Sequence, residues 1–295
     1  MSLDQAISVL VAITLMEMML ATGLGVRLAD VTGAARDGRL LLGVGLANYV
    51  AVPFAAVLLL LLTDADPMAA AGILILAVCP GAPYAPPLTA LARGRTATSV
   101  GLMVILAGSS VIIAPVLLFF LLPITSGSAD LHVEPLGLLG VILGTQLLPL
   151  CCGLAISHWW PDWAARWLAP AVVASKILNA ATLAVILTSH FPELLDIRLR
   201  GVLAMLILLG VSLGAGWSAG GGKDRDRRTV ALTTTIRNVG LGLVIASGTF
   251  AGTSAVTAVM VYGLLQLLGS FLLALWWRRG SSLVEAQPIS RARTH

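Results

Sequence analysis

Three charged residues lie where charge is hardest to keep. Glu17, Lys176 and Arg237 each fall inside a long apolar run. At membrane depth an ionised side chain costs several kcal/mol unless water, an opposite charge or carbonyl groups receive it. A guanidinium cannot escape by losing its proton. Its planar fork of donors is suited to a carboxylate. Arg237 sits in RTVALTTTIRNVGLGLVIASG, after Thr233, Thr234 and Thr235 and before Asn238 and Gly240. Threonine hydroxyls can serve backbone groups where a membrane helix unwinds. Glu17 and Lys176 allow two readings: an ion pair that fixes packing, or ionisable groups that relay protons. Asn179, one short turn beyond Lys176, shares its face. Gln146 is a weaker polar candidate.

A second feature is a run of prolines. The segment AVCPGAPYAPPLTALARG holds Pro80, Gly81, Pro83, Pro86 and Pro87 within eight residues. A proline inside a helix removes one hydrogen bond and clashes with the preceding turn. Four of them cannot sit in one continuous helix. The backbone must open there, and open backbone survives in a membrane only where it lines a cavity or is buried in protein. Tyr84 and Pro86 belong to this opened stretch.

The elements that must hold these groups follow from composition. The chain has 295 residues, of which 58% are hydrophobic and 11% charged. Soluble domains carry about 25% charged residues. Nine apolar segments are expected near 5–27, 39–62, 69–92, 97–122, 136–157, 167–189, 197–219, 227–250 and 252–278. Each exceeds the roughly 20 residues that cross a bilayer. The first has no basic stretch before it and reads as a span, not a cleaved leader.

With the N-terminus outside, the inner loops and tail hold fourteen basic residues: Arg27, Arg36, Arg39, Arg93, Arg95, Arg166, Lys223, Arg225, Arg227, Arg228, Arg278, Arg279, Arg291 and Arg293. The outer loops hold two, Arg198 and Arg200. This is the positive-inside pattern of an inner-membrane protein with a cytoplasmic C-terminus. All seven tryptophans fall near the cytoplasmic ends, where amphipathic rings favour the interface. Clustered in short loops, the basic residues mark orientation and not nucleic-acid binding.

The proline-rich and arginine-bearing segments are the third and eighth. Units five spans apart face opposite ways, so segments 1–4 and 6–9 are expected to be inverted repeats, each with its third helix broken. Paired broken helices in inverted halves point to the central site of a secondary transporter.

These residues resemble the bile acid/sodium symporter family. CPGAPYAPPLTALARG, from Cys79 to Gly94, is similar to its CPGG-x-x-SN crossover. Arg228–Gly242 is similar to its second crossover, R-x-x-x-x-E-x-G-x-Q-N. Asn48 and Pro53 resemble its Q-x-x-x-x-P. The resemblance implies an all-α fold with a core (about 39–122 and 197–278) and a panel (about 5–27 and 136–189), leaving 280–295 as a cytoplasmic tail. It also exposes departures. The family's serine and asparagine sodium ligands match Ala85 and Pro86. Its shared glutamate matches Thr233, its glutamine Arg237, and a threonine of the next span Met103. Asn48, Ser99 and Asn238 keep polar character. Both sodium sites are therefore expected to be lost, and no metal or other cofactor is expected.

The expected activity is alternating-access transport of a small organic anion across the lipid bilayer without sodium. The solute site is expected at Arg237, Asn238, Thr233, Thr234, Tyr84, Pro86 and Asn48, with Glu17, Lys176 and Asn179 as coupling or panel groups. A proton-coupled carrier, an arsenite-type exporter using Cys79 and a membrane ligand sensor are the alternatives. An enzyme is not expected: His132, His158, His190 and His295 fall in loops or the tail without metal-ligand spacing. Cys79, Cys151 and Cys152 read as small packing residues. Thr89, Ser99, Ser109, Ser110, Gln266 and Ser270 read as helix-packing contacts.

Overall fold

A computed structural model describes residues 2–63, 65–126, 131, 133–189 and 199–285, and all regular structure among them is helical. Arg198, His132, His190 and the tail beyond 285 lie outside the described residues. In order, the helices are α1 (Leu3–Gly25), α2 (Leu28–Ala35), α3 (Gly38–Thr63), α4 (Pro67–Ala77), α5 (Ala85–Leu91), α6 (Thr96–Ser126), α7 (Pro135–Trp159), α8 (Pro161–Ser189), α9 (Leu199–Ala219), α10 (Asp224–Thr235), α11 (Val239–Thr249) and α12 (Ser254–Glu285). Among the described residues, eight helical stretches are long and apolar enough to cross a membrane: α1, α3, α6, α7, α8, α9, the α10–α11 pair and α12. The third expected segment is not one helix. It divides into the short apolar α4 and the shorter α5.

Local sequence sets the ends. Ser2 opens α1 with a capping box, its side chain accepting from the Gln5 N–H while Gln5 reaches back. Asp66 caps α4 ahead of Pro67, which occupies the position where a missing N–H costs nothing. Three boundaries differ from the hydropathy reading. Helix α2 forms inside a stretch read as a loop, because eight residues are too few to register as a span. Helix α8 begins at Pro161, a helix-starting residue six positions before the apolar run. Helix α12 runs to Glu285, past the expected end.

Helix α1 packs along both α7 and α8. Gly23 and Gly153 bring the α1 and α7 backbones together: a Cβ on either would strike backbone of the other helix, at Leu150 or Leu20. Elsewhere α9 packs on α10, α4 on α12 and α2 on α6, while α1 also touches α11. The α10–α11 pair is the most enclosed crossing and α8 the most peripheral. Cys79 is buried, but Cys151 and Cys152 are exposed on α7, not packed.

Candidate functional site

The first break begins where α4 ends. The chain is irregular through Val78–Tyr84 and becomes helical again at Ala85. Pro86 and Pro87, expected in the open stretch, instead stand in the first turn of α5, where proline is tolerated. Gly81 has φ +89°, in the left-handed region, and a Cβ there would collide with the Ala107 backbone of α6. Glycine alone meets both conditions.

The second break is shorter, at Ile236–Asn238. Asn238 caps α11, its Oδ1 accepting from the Leu241 N–H at 3.1 Å. The Asn238 N–H donates to the Cys79 carbonyl at 2.8 Å, so the breaks touch backbone to backbone. Gln266 of α12 grips the backbone on both sides of Arg237. Its Oε1 accepts from the Arg237 N–H at 3.1 Å, and its Nε2 donates to the Arg237 carbonyl at 3.0 Å. These bonds satisfy backbone groups that the interrupted helix cannot. Asn238 Nδ2 donates to Gln146 Oε1 at 2.8 Å. Gln146 Nε2 in turn donates to the Ala107 carbonyl at 2.8 Å and to Ser110 Oγ at 3.0 Å.

Arg237 is only 1% exposed. Its Nε, Nη1 and Nη2 have no hydrogen-bond partner among the described residues. Tyr262, Tyr49 and Cys79 are its electrostatic neighbours. A buried cation left this way needs an anion or water. Beside the break lies a cavity of about 200 Å³, walled by Val11, Thr14 and Met18 of α1, Asn179 and Thr182 of α8, Tyr84, the stretch Ile236–Gly240, and α12. Its walls are mainly apolar. Thr14 of α1 and Thr182 of α8 bond to each other across it at 2.8 Å.

Of the residues singled out from sequence, Arg237, Asn238, Tyr84 and Asn179 reach this cavity. Thr233, Thr234, Asn48 and Pro86 do not. Thr233 belongs to a hydroxyl chain: Thr89 donates to Ser99 at 3.1 Å, Ser99 and Thr233 are 3.0 Å apart, and Thr233 donates to the Thr229 carbonyl at 2.8 Å. Asn48 Nδ2 donates to the Val44 carbonyl and to Thr234 Oγ1. The Glu17 carboxylate accepts from Ser175 Oγ at 2.6 Å. Lys176 is exposed, and no ion pair joins it to Glu17 among the described residues. Asn179 Nδ2 donates to the Ser175 carbonyl. His158, expected in a loop, sits in the last turn of α7.

Two residues proved more central than their sequence suggested: Gln266 and Gln146. The signal for Gln146 was a proline. Asn48 and Gln146 each lie in a π-helical turn, Ala47–Ala51 and Leu143–Leu147. Each turn is followed closely by a proline, Pro53 or Pro149. A proline withholds one backbone N–H from the preceding turn, and a widened turn accommodates that loss. Both amides are fully buried.

Broken helices that meet beside a cavity are the architecture of secondary transporters. A model of the Sodium Bile acid symporter family matches residues 12–195, and the chain belongs to this family, whose members are transporters and not enzymes. It is 27% identical over 272 residues to the probable sodium/metabolite cotransporter BASS1, chloroplastic, of Arabidopsis thaliana, an alignment covering 90% of this chain and 66% of that protein. It is 26% identical over 237 residues to the uncharacterized sodium-dependent transporter YocS of Bacillus subtilis (strain 168), covering 79% of this chain and 72% of the relative. The chain thus spans just under two thirds of the length of the chloroplast protein.

Proposed function

We propose that this chain is a secondary carrier of a small organic anion that works by alternating access without sodium. The observation that carries the reading is Arg237: a guanidinium buried where two broken helices meet, with no acceptor for any of its nitrogens among the described residues. A substrate carboxylate would supply the missing acceptor. The adjacent cavity falls below the roughly 300 Å³ at which drug-sized pockets begin, and its apolar walls suit a compact body behind one anionic group.

Both relatives are named for sodium, so sodium independence is what separates this chain from them. It rests on the donor set. Sodium and its relatives among hard cations take several oxygen ligands, carboxylates prominent among them. At the position of the family's shared glutamate stands Thr233, whose hydroxyl is engaged with Ser99 and the Thr229 carbonyl. At the position of its glutamine stands Arg237, which repels a cation. The fixed charge takes sodium's place as the positive element between the crossing helices.

The assembly read from sequence is proposed with it. Helix α4, the first break and α5 complete a ninth pass, and α1–α6 and α8–α12 form inverted repeats around α7. The mutual packing of α1, α7 and α8 supports the panel, and the remaining helices form the core. The protein lies in the cell inner membrane, N-terminus outside and C-terminus cytoplasmic. A proton-coupled version has one supporting observation, the part-buried Glu17 carboxylate held by Ser175.

The test is thermal stabilisation of the purified protein by short aliphatic and aromatic monocarboxylates, followed by counterflow of the best binder in proteoliposomes with and without sodium. Stabilisation and counterflow equal in both media support the reading. A strict sodium requirement contradicts it.

A further inference from the structure

Hydrogen bonds between the proposed panel and the proposed core are few among the described residues. Near one end of the crossing, Ser8 Oγ donates to the Ser247 carbonyl at 2.8 Å. At its middle, one side chain makes all the others: Gln146 accepts from Asn238 and donates to Ala107 and Ser110. Glycine contacts lock α1 to α7 within the panel, so Gln146 is carried by a stiff unit. Its three partners all belong to the core. Ala107 is also the residue against which Gly81 of the first break rests.

This makes Gln146 a fastening between bodies that must slide past each other in alternating access. Its amide is completely buried, so a bond broken by sliding is not replaced by bulk water. Its partner Asn238 has two further duties. It caps α11, and it lines the cavity beside Arg237. Asn238 Nδ2 carries two N–H groups, one of them held by Gln146 Oε1, and an anion seated so as to take that N–H competes with Gln146 for it. Binding at the crossing and release of the panel are therefore linked through one carboxamide. A ligand shifts a conformational equilibrium only through such a difference in interaction between the two states.

We propose that Gln146 is a positioning residue, a latch that holds the second break to the panel in one conformational state and competes with the transported anion for Asn238. The proposal rests on the carrier reading, but its test needs neither the substrate nor an assumption about sodium. Ala180, exposed at the cavity wall, is replaced by cysteine in a chain whose Cys79, Cys151 and Cys152 are replaced by alanine. Labelling by a membrane-impermeant maleimide is then measured from each side of proteoliposomes. Gln146→Met keeps the volume and removes all three bonds; Ser110→Ala removes one. The expected result is a change of about fivefold or more in the ratio of labelling from the two sides for Gln146→Met. A smaller change in the same direction is expected for Ser110→Ala. If Gln146→Met does not fold, Ser110→Ala decides alone. Labelling identical to the parent in every variant that folds overturns the latch and leaves the anion-carrier reading standing.

Discussion

The two breaks solve one problem by opposite means. An interrupted helix frees N–H and carbonyl groups in a place without water, and each must be answered. The first break answers by subtraction. Pro80 and Pro83 have no N–H, so the irregular stretch carries fewer donors to satisfy, and its Cys79 carbonyl is taken by Asn238. The second break answers by addition. It keeps its donors and recruits Gln266, Gln146 and the Asn238 side chain to meet them. Subtraction leaves an apolar, tightly seated strand. Addition leaves a polar knot, and in that knot the Arg237 guanidinium has no answer among the described residues. The difference separates a break that positions from a break that, in the carrier proposed above, binds.

The comparison can be broken first at its seats. Gly81→Val places a branched side chain at positive φ against the Ala107 backbone and is expected to cost about 3–5 kcal/mol, seen as lost folded yield in detergent. Gly240→Ala is the counterpart just past the second break, in the first turn of α11. Its added carbon presses on the flexible ends of Leu15 and Met18, at 3.0 and 3.3 Å, makes an ordinary contact with Asn238 Oδ1 at 3.5 Å, and is expected to cost under about 1 kcal/mol. Equal losses would show that the breaks are equally rigid.

Next come the donors. Gln266→Leu strips both partners from the Arg237 peptide and is expected to lower stability by about 2–4 kcal/mol in thermal unfolding. Pro80→Ala does the reverse in the first break, adding a buried N–H, with a smaller expected loss of about 1–3 kcal/mol. No loss for Pro80→Ala would refute the subtractive account. Smallest is Ser99→Ala, which shortens the hydroxyl chain at Thr233. About 1 kcal/mol of stability should go, with no change in the response of the melting temperature to sodium.

Much of this was legible in the sequence because membrane physics is severe. The apolar runs marked the spans, four close prolines marked a break, and an arginine among threonines marked the second. Each is a local signal whose cost is high. What was not legible depends on pairing across the chain. Gln266 lies 29 residues from Arg237, and Gln146 lies 92 from Asn238. An amide in an apolar helix looks alike whether it clamps a broken peptide or merely touches a neighbour. Lys176 and Glu17 show the converse. Both were legible as embedded charges, but Glu17 turns to the adjacent Ser175 while Lys176 faces outward, a choice of helix face that spacing alone did not decide.

The central claim is that Arg237 serves a ligand and not the fold. Arg237→Gln tests it most directly, through melting temperatures measured with and without a stabilising monocarboxylate. Because the guanidinium has no hydrogen-bond partner among the described residues, removing its buried charge should leave unliganded stability unchanged or raise it by about 1–4 kcal/mol. Stabilisation by the carboxylate should disappear, a loss of about 2–5 kcal/mol in binding. A variant that melts lower but still responds fully to the carboxylate would contradict the account.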